Sequence, residues 1–277
     1  MADALNNLRV DIIDTALGVV RVRVIGSGEP ILFWPSQLMT SDMWCVQAEL
    51  FAPHATVILV DPPGHGGSQA LNRDFSFAEC AQSIADILDA LKIDRVHFVG
   101  ASWGGMIGIT FAATHPDRLN RAVLMNCTAA AANIDEKLQY NSIIGQARAM
   151  GRIRPPVTQS LMAAFLGPTT RSTRPEVVAQ VRRSIEGVDV TSAAWAMESV
   201  MRDRPDQRSL LRHVKSHVLI VAGNEDCTAP PAHAVEMVEG IPFSSLAVLD
   251  GVGHLASLED PQAINILIEA FLFIRSG

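Results

Sequence analysis

The sequence predicts an α/β fold: a mostly parallel, doubly wound sheet interrupted by a long helical insertion. Three observations predict it. Between residues 56 and 126, short apolar runs alternate with helical patterns, the order that sets parallel strands side by side with helices over both faces. From about Asn133 to His213 the patterns are helical only, broken at Arg154-Pro155-Pro156, Gly167-Pro168, Arg174-Pro175 and Gly187. Alternation then resumes at Val218-Leu219-Ile220-Val221-Ala222. The expected organisation is a core from residues 1–132 and 214–277, with a helical cap, or lid, at 133–213. A chain of 277 residues suits one large domain with such an insertion.

The elements follow in order. Leu8 to Thr15 and Val19 to Ile25 are β-rich runs split by a Leu17-Gly18 turn, and Ile31-Leu32-Phe33-Trp34 follows a Gly/Pro-rich connection. The loop Pro35 to Ser41 leads into a helix containing Met43, Trp44, Val46 and Leu50. Thr56 to Val60 is continuously apolar, as expected of a strand covered on both faces, and ends in the loop Asp61-Pro62-Pro63-Gly64-His65-Gly66-Gly67-Ser68. Phe77, Cys80, Ile84, Ile87, Leu88 and Leu91 recur at helical spacing and predict an amphipathic helix over 76–92. A strand from Val96, a helix from Ser102 to about His115 and a strand from Arg121 to Met125 complete the first half. After the insertion come the strand 218–222, a helix near 231–240, a strand from Ser245 to Leu249, and a final amphipathic helix with Ile264, Leu267, Ile268, Phe271 and Leu272.

Chemistry concentrates where strands end. Gly100-Ala101-Ser102-Trp103-Gly104 matches the G-x-S-x-G turn and sits between a strand and a helix, the context that this turn requires. Residues two positions either side of the serine must lack a Cβ, because strand and helix approach closely there. Gly223-Asn224-Glu225-Asp226 follows a second strand, and Asp250-Gly251-Val252-Gly253-His254 a third. At the carboxyl edge of an open α/β sheet, where ligands bind, this supplies a serine, an acid and a histidine in that chain order.

These stretches resemble the α/β-hydrolase family, in particular its epoxide-hydrolase and enol-lactonase-like group. The likeness spans nearly the whole chain and is carried by the 61–68 loop, Gly100 to Gly105, His115-Pro116-Asp117-Arg118-Leu119, Gly223 to Asp226, and Gly253-His254 with Glu259-Asp260-Pro261. It implies Ser102 as nucleophile, His254 as general base and acid, and Asp226 as the acid that orients the histidine. Glu225 is the rival acid; the family pattern favours Asp226. It also implies an oxyanion hole built from the backbone N–H groups of Trp103 and Gln37. Relatives usually carry His-Gly before the second donor, where this chain has Pro35-Ser36.

Other chemistries find less support. The four cysteines are scattered without a C-x-x-C pair, which predicts free thiols and a cytoplasmic protein. The eight histidines form no metal-binding pattern, so no metal is expected, and no P-loop or dinucleotide motif calls for a cofactor. A formal charge of −7 gives no case for nucleic acid or an anionic membrane surface. Met1 to Asn7 lack a basic and apolar leader, and no apolar run is long enough to span a bilayer. Asp61 is expected to structure its own loop. Trp34, Trp44, Trp103 and Trp195 are candidates to line a pocket, with Trp44 and Trp195 weighted toward packing.

The expected activity is hydrolysis of a small carboxylic ester or lactone through an acyl-serine intermediate. C–C bond hydrolysis, perhydrolysis and a ligand receptor on a hydrolase scaffold are the alternatives. The segment 133–213 holds Lys137 and eleven arginines against eight acids, a net +4, which suggests a cap that draws acidic substrates. The sequence leaves oligomeric state open.

Overall fold

A computed structural model describes residues 8–273; Met1 to Asn7, whose sequence lacks a leader pattern, lie outside the described residues. One eight-stranded sheet organises the chain. Its strands are β1 (Arg9–Thr15), β2 (Gly18–Ile25), β3 (Glu29–Trp34), β4 (Ala55–Val60), β5 (Val96–Ala101), β6 (Leu119–Met125), β7 (His217–Gly223) and β8 (Ser244–Leu249). Their spatial order is β1-β2-β4-β3-β5-β6-β7-β8. β1 pairs antiparallel with β2, and β2 with β4; β3 to β8 are all parallel. β5 is buried along its whole length and β6 at all but two positions, matching their uninterrupted apolar runs. Each fully buried Val, Ile or Leu contributes roughly 1.5–3 kcal/mol, so these central strands form the rigid platform of the molecule.

Helices cover the sheet in two groups. α1 (Cys45–Phe51), entered through a 3₁₀ turn at Ser41–Trp44, packs with α12 (Pro261–Leu272). α2 (Phe77–Ala90), α3 (Trp103–Thr114), α9 (Arg208–Leu211) and α10 (Pro231–Gly240) form the other group. α2 starts at the predicted place because Ser76 and Glu79 close a reciprocal capping box, worth about 1 kcal/mol. Between β6 and α9 lie α4 (Ile134–Met150), α5 (Val157–Phe165), α6 (Pro168–Thr173), α7 (Pro175–Gly187) and α8 (Val190–Met197), the last continuing through a wider π turn at Glu198–Arg202. Every break predicted from proline and glycine falls between helices or at a helix end. One short helix, α11 (Ala256–Glu259), was not anticipated: four residues are too few to show a period.

The strand order creates the site. From β3 the chain moves outward to β4, then crosses back over β3 to β5. Sheet order therefore reverses between β3 and β5. The loops leaving the carboxyl ends of these two neighbours diverge and open a crevice. Pro35–Thr40 leaves β3, and Ser102 follows β5.

Candidate active site

Ser102 stands on the turn between β5 and α3 with φ 52° and ψ −109°. A non-glycine residue at positive φ costs roughly 1–3 kcal/mol and persists only where its surroundings impose it. They do so here. A Cβ at Gly104 would overlap the Trp34 backbone, and one at Gly100 the Gly104 backbone, so strand and helix are as close as two missing side chains allow. The Ser102 N–H is fixed to the Met125 carbonyl (2.9 Å), and its carbonyl accepts from the Met106 N–H (2.8 Å). The hydroxyl is thereby left to make contacts outside its own backbone.

Its partner is His254. Ser102 Oγ lies 2.8 Å from His254 Nε2, and His254 Nδ1 lies 2.8 Å from Asp226 Oδ2. The carboxylate can only accept, so Nδ1 carries the proton and Nε2 is free to accept from the serine hydroxyl. All three residues are buried, at 2%, 2% and 4% exposure for Ser102, His254 and Asp226. Burial pushes the Asp226 carboxyl upward, but the neighbouring His254 and hydrogen bonds from His254, the Ala229 N–H and Asn126 outweigh it and hold the group below its ordinary value. The other oxygen, Oδ1, accepts from the Thr228 (2.9 Å) and Ala229 (2.8 Å) N–H groups. Asp226 thus orders its own loop and the histidine together and does not cap α10. The rival, Glu225, turns away and accepts from the Thr169 N–H (2.8 Å).

The loop after β3 is shaped by groups that sequence reading did not connect. His65 is buried, and its Nε2 accepts the Leu38 N–H (3.2 Å) while Nδ1–H donates to the Pro63 carbonyl (3.0 Å). Burial lowers the His65 pKa, against opposing contributions from the Pro63 carbonyl and Asp61, and a neutral ring is what this pattern requires. Asp61, also buried, accepts from the Ser41 N–H (2.9 Å), the Gly67 N–H (2.8 Å) and Arg21 Nε (2.7 Å). It structures its own loop, as expected, and anchors the end of the β3 loop as well. The left-handed residue in that loop is Leu38 (φ 61°), so serine at 36 meets no demand for glycine. Gln37 is buried, and among the described residues the loop's hydrogen bonds leave its N–H unused. The Trp103 N–H opens α3, where the first turn has no intrahelical acceptor.

A match to the alpha/beta hydrolase fold family covers residues 29–261. The chain belongs to that family. It is 28% identical over 244 residues to 3-oxoadipate enol-lactonase 2 of Acinetobacter baylyi, covering 88% of each chain. A hydrolase from Pseudomonas aeruginosa superposes with a TM-score of 0.87 at 26% identity, covering 97% of this chain and 99% of that one. A thermophilic esterase from Thermogutta terrifontis, at 24% identity, shares the fold with a TM-score of 0.87 over 95% of this chain and 98% of its own.

Within this α/β hydrolase, two further side chains meet the three loop residues. Asn126, at the end of β6 with φ 52°, donates to Asp226 Oδ2 (3.1 Å) and to the Gly253 carbonyl (3.0 Å), joining the acid and histidine loops. Phe165, at the end of α5, stacks on the His254 ring with centroids 5.8 Å apart. Neither position carried a sequence signal beyond its residue type. Two of the tryptophans are a correction: Trp34 and Trp103 are wholly buried, Trp103 packing against Trp34, His65 and Phe75, so neither offers a face to an open pocket, while Trp44 packs against Phe33 as weighted. Trp195 is half-buried beneath Arg148.

The charge of 133–213 is largely spent internally. Arg148, Arg174, Arg182, Arg202, Arg204 and Arg208 each pair with an acid of the same segment. All four cysteines are free. Among the described residues no helix is long and apolar enough to cross a membrane, and no cluster of metal-ligating side chains occurs.

Proposed function

We propose that the chain is a serine hydrolase that cleaves small carboxylic esters or lactones through an acyl-enzyme. The observation that carries this reading is the unbroken line from Ser102 Oγ to His254 Nε2 and from His254 Nδ1 to Asp226, each step 2.8 Å, on a strained turn at the sheet's switch point. Ser102 Oγ attacks the substrate carbonyl carbon while its proton passes to His254 Nε2. Asp226 stabilises the imidazolium and holds the ring in the one tautomer able to accept. Charge develops on the carbonyl oxygen, where the N–H groups of Trp103 and Gln37 donate to it. The tetrahedral intermediate collapses, the ester C–O bond breaks, and His254 returns the proton to the leaving oxygen; in a lactone that oxygen stays tethered to the acyl group. Water then gives a proton to His254, attacks the acyl carbon and releases the acid as Ser102 is reprotonated.

Residues 133–213 serve as the cap over a core formed by 1–132 and 214–277, and Phe165 stacking on His254 supports this placement. The similarity to an enol-lactonase favours lactones within the class. Four free thiols favour the cytoplasm. The test is a multiple-turnover panel of p-nitrophenyl acetate, p-nitrophenyl butyrate, simple lactones and enol-lactones. Sustained turnover of at least one member, lost in Ser102→Ala, is expected. A protein that completes no more than one slow turnover on all of them is a receptor or has a different chemistry.

A further inference from the structure

Resting on the serine-hydrolase reading, we propose that Glu259 is the positioning residue for His254, and that it locks the histidine's turn to the cap. Its carboxylate is buried, and no arginine or lysine pairs with it among the described residues. Three backbone N–H groups point at it instead: Leu255 at 2.9 Å from Oε1, and Gly253 and Gly167 each at 3.0 Å from Oε2. Gly253 and Leu255 flank His254, so one carboxylate grips the backbone on both sides of the ring that must face Ser102. Gly167 belongs to the cap, at the start of α6. A Cβ on Gly253 would overlap the Gly167 backbone, so cap and histidine turn touch with no side chain between them.

The choice of residue follows from the donor count. Three donors converge on two oxygens, and only a carboxylate offers acceptors at both ends; an amide would aim its own N–H₂ at one or two of them. A buried carboxylate is costly unless each oxygen is satisfied, so such a group marks a place where geometry must be held. The same stretch of cap is gripped twice more. Glu225, beside Asp226, holds the Thr169 N–H, and Arg174 donates to the Glu259 carbonyl (2.7 Å). Both loops that supply partners to Ser102 are therefore fastened to residues 167–174. Glu259 itself touches no reacting atom; it acts through the angle of the imidazole.

The experiment compares wild type, Glu259→Gln and Arg174→Gln. It measures kcat and KM on p-nitrophenyl acetate, the rate at which a fluorophosphonate labels the protein, and the thermal midpoint. A ring displaced by about 1 Å loses up to about 10²-fold in rate, so Glu259→Gln should lose kcat on that scale with KM within about threefold of wild type. Labelling should slow by the same factor, since both reactions need the proton taken from Ser102. Arg174→Gln should show the same pattern at smaller size. Folded Glu259→Gln with wild-type kcat and labelling overturns the proposal, as does a raised KM at unchanged kcat, which would mean the carboxylate only shapes the pocket. Should Glu259→Gln not fold, Arg174→Gln decides: unchanged kcat overturns the proposal, and reduced kcat at constant KM upholds it. Wild-type protein that is neither labelled nor active overturns the hydrolase reading itself, and this failure shows before any substitution is made.

Discussion

The sheet and the helical segment between β6 and α9 share one apolar core but differ in the contacts added to it. β5 and β6 are apolar and buried, and glycine lets β5 and α3 meet backbone to backbone. The helical segment buries apolar residues such as Ile144, Leu161 and Val181 in the same core, and adds polar contacts to the rest of the chain: Ser184 Oγ to the Leu38 carbonyl, the Leu71 N–H to Ser192 Oγ, the Phe75 N–H to Ser199 Oγ, and Thr228 Oγ1 to the Ala164 carbonyl. Its own interior adds ion pairs to apolar packing, such as buried Glu198 between Arg148 and Arg202. The difference teaches that the sheet stores the strain at Ser102, while the exposed face of the helical segment can be retuned at little cost to folding. Substitutions beneath the site should cost stability or turnover steeply, and those on the exposed face of the helical segment, away from residues 167–174, should not.

The largest expected effect is chemical. Ser102→Ala and His254→Ala should each lower kcat by about 10⁶-fold, and combining them should add little, because the residues act as a unit. The fold should survive. Ser102→Gly should even raise the thermal midpoint, since glycine tolerates φ 52° without strain.

Two glycines sharpen the contrast next. Gly104→Ala drives a Cβ into the Trp34 backbone and should destabilise by about 3 kcal/mol or more. Gly145 lies exposed inside α4 with open space where a Cβ would go. There, alanine should stabilise by about 0.5–1 kcal/mol through helix propensity. Denaturant unfolding of the two variants measures both; equal destabilisation would break the comparison.

His65→Phe keeps a ring but removes the acceptor for the Leu38 N–H. Loosening the loop that carries Gln37 should cost about tenfold in kcat, less than the 10²–10³-fold of deleting an oxyanion donor outright. The smallest effect is on stability against pH. Burial lowers the pKa of His65 and of His97 from the ordinary 6.5, so the unfolded chain takes up protons that the folded rings refuse. Stability from this source is full above pH 6.5 and is lost as pH falls from there through the native values. Thermal midpoints should therefore decline below that pH, and less steeply in His65→Phe. A midpoint that rises on acidification would contradict the assignment of neutral buried rings.

Much of this was legible in the chain itself, for reasons of range. The G-x-S-x-G turn at Gly100–Gly104 is local: strand, turn and helix are contiguous, and steric need dictates the residues. Asp226 and His254 were legible because each follows a strand of recognisable pattern. What could not be read depends on loops meeting in space. His65 sits in a loop whose composition was plain, yet its bond to Leu38 crosses 27 positions. Glu259 stood inside a stretch resembling the family, but its grip on Gly167 spans 92 positions. Phe165 on His254 carried no signal, since an apolar residue at a helix end is ordinary. The excess of arginine suggested attraction for acids; six of the eleven turn out to be paired with acids beside them, a matter of side-chain geometry that a net charge cannot express.

The central claim is that Ser102 is the nucleophile. Intact-protein mass spectrometry after exposure to a fluorophosphonate, followed by peptide mapping, tests it most directly. The predicted result is one adduct per chain, located on Ser102, absent from Ser102→Ala and formed far more slowly in His254→Ala. An adduct retained in folded Ser102→Ala, or one mapped to another residue, would contradict the account.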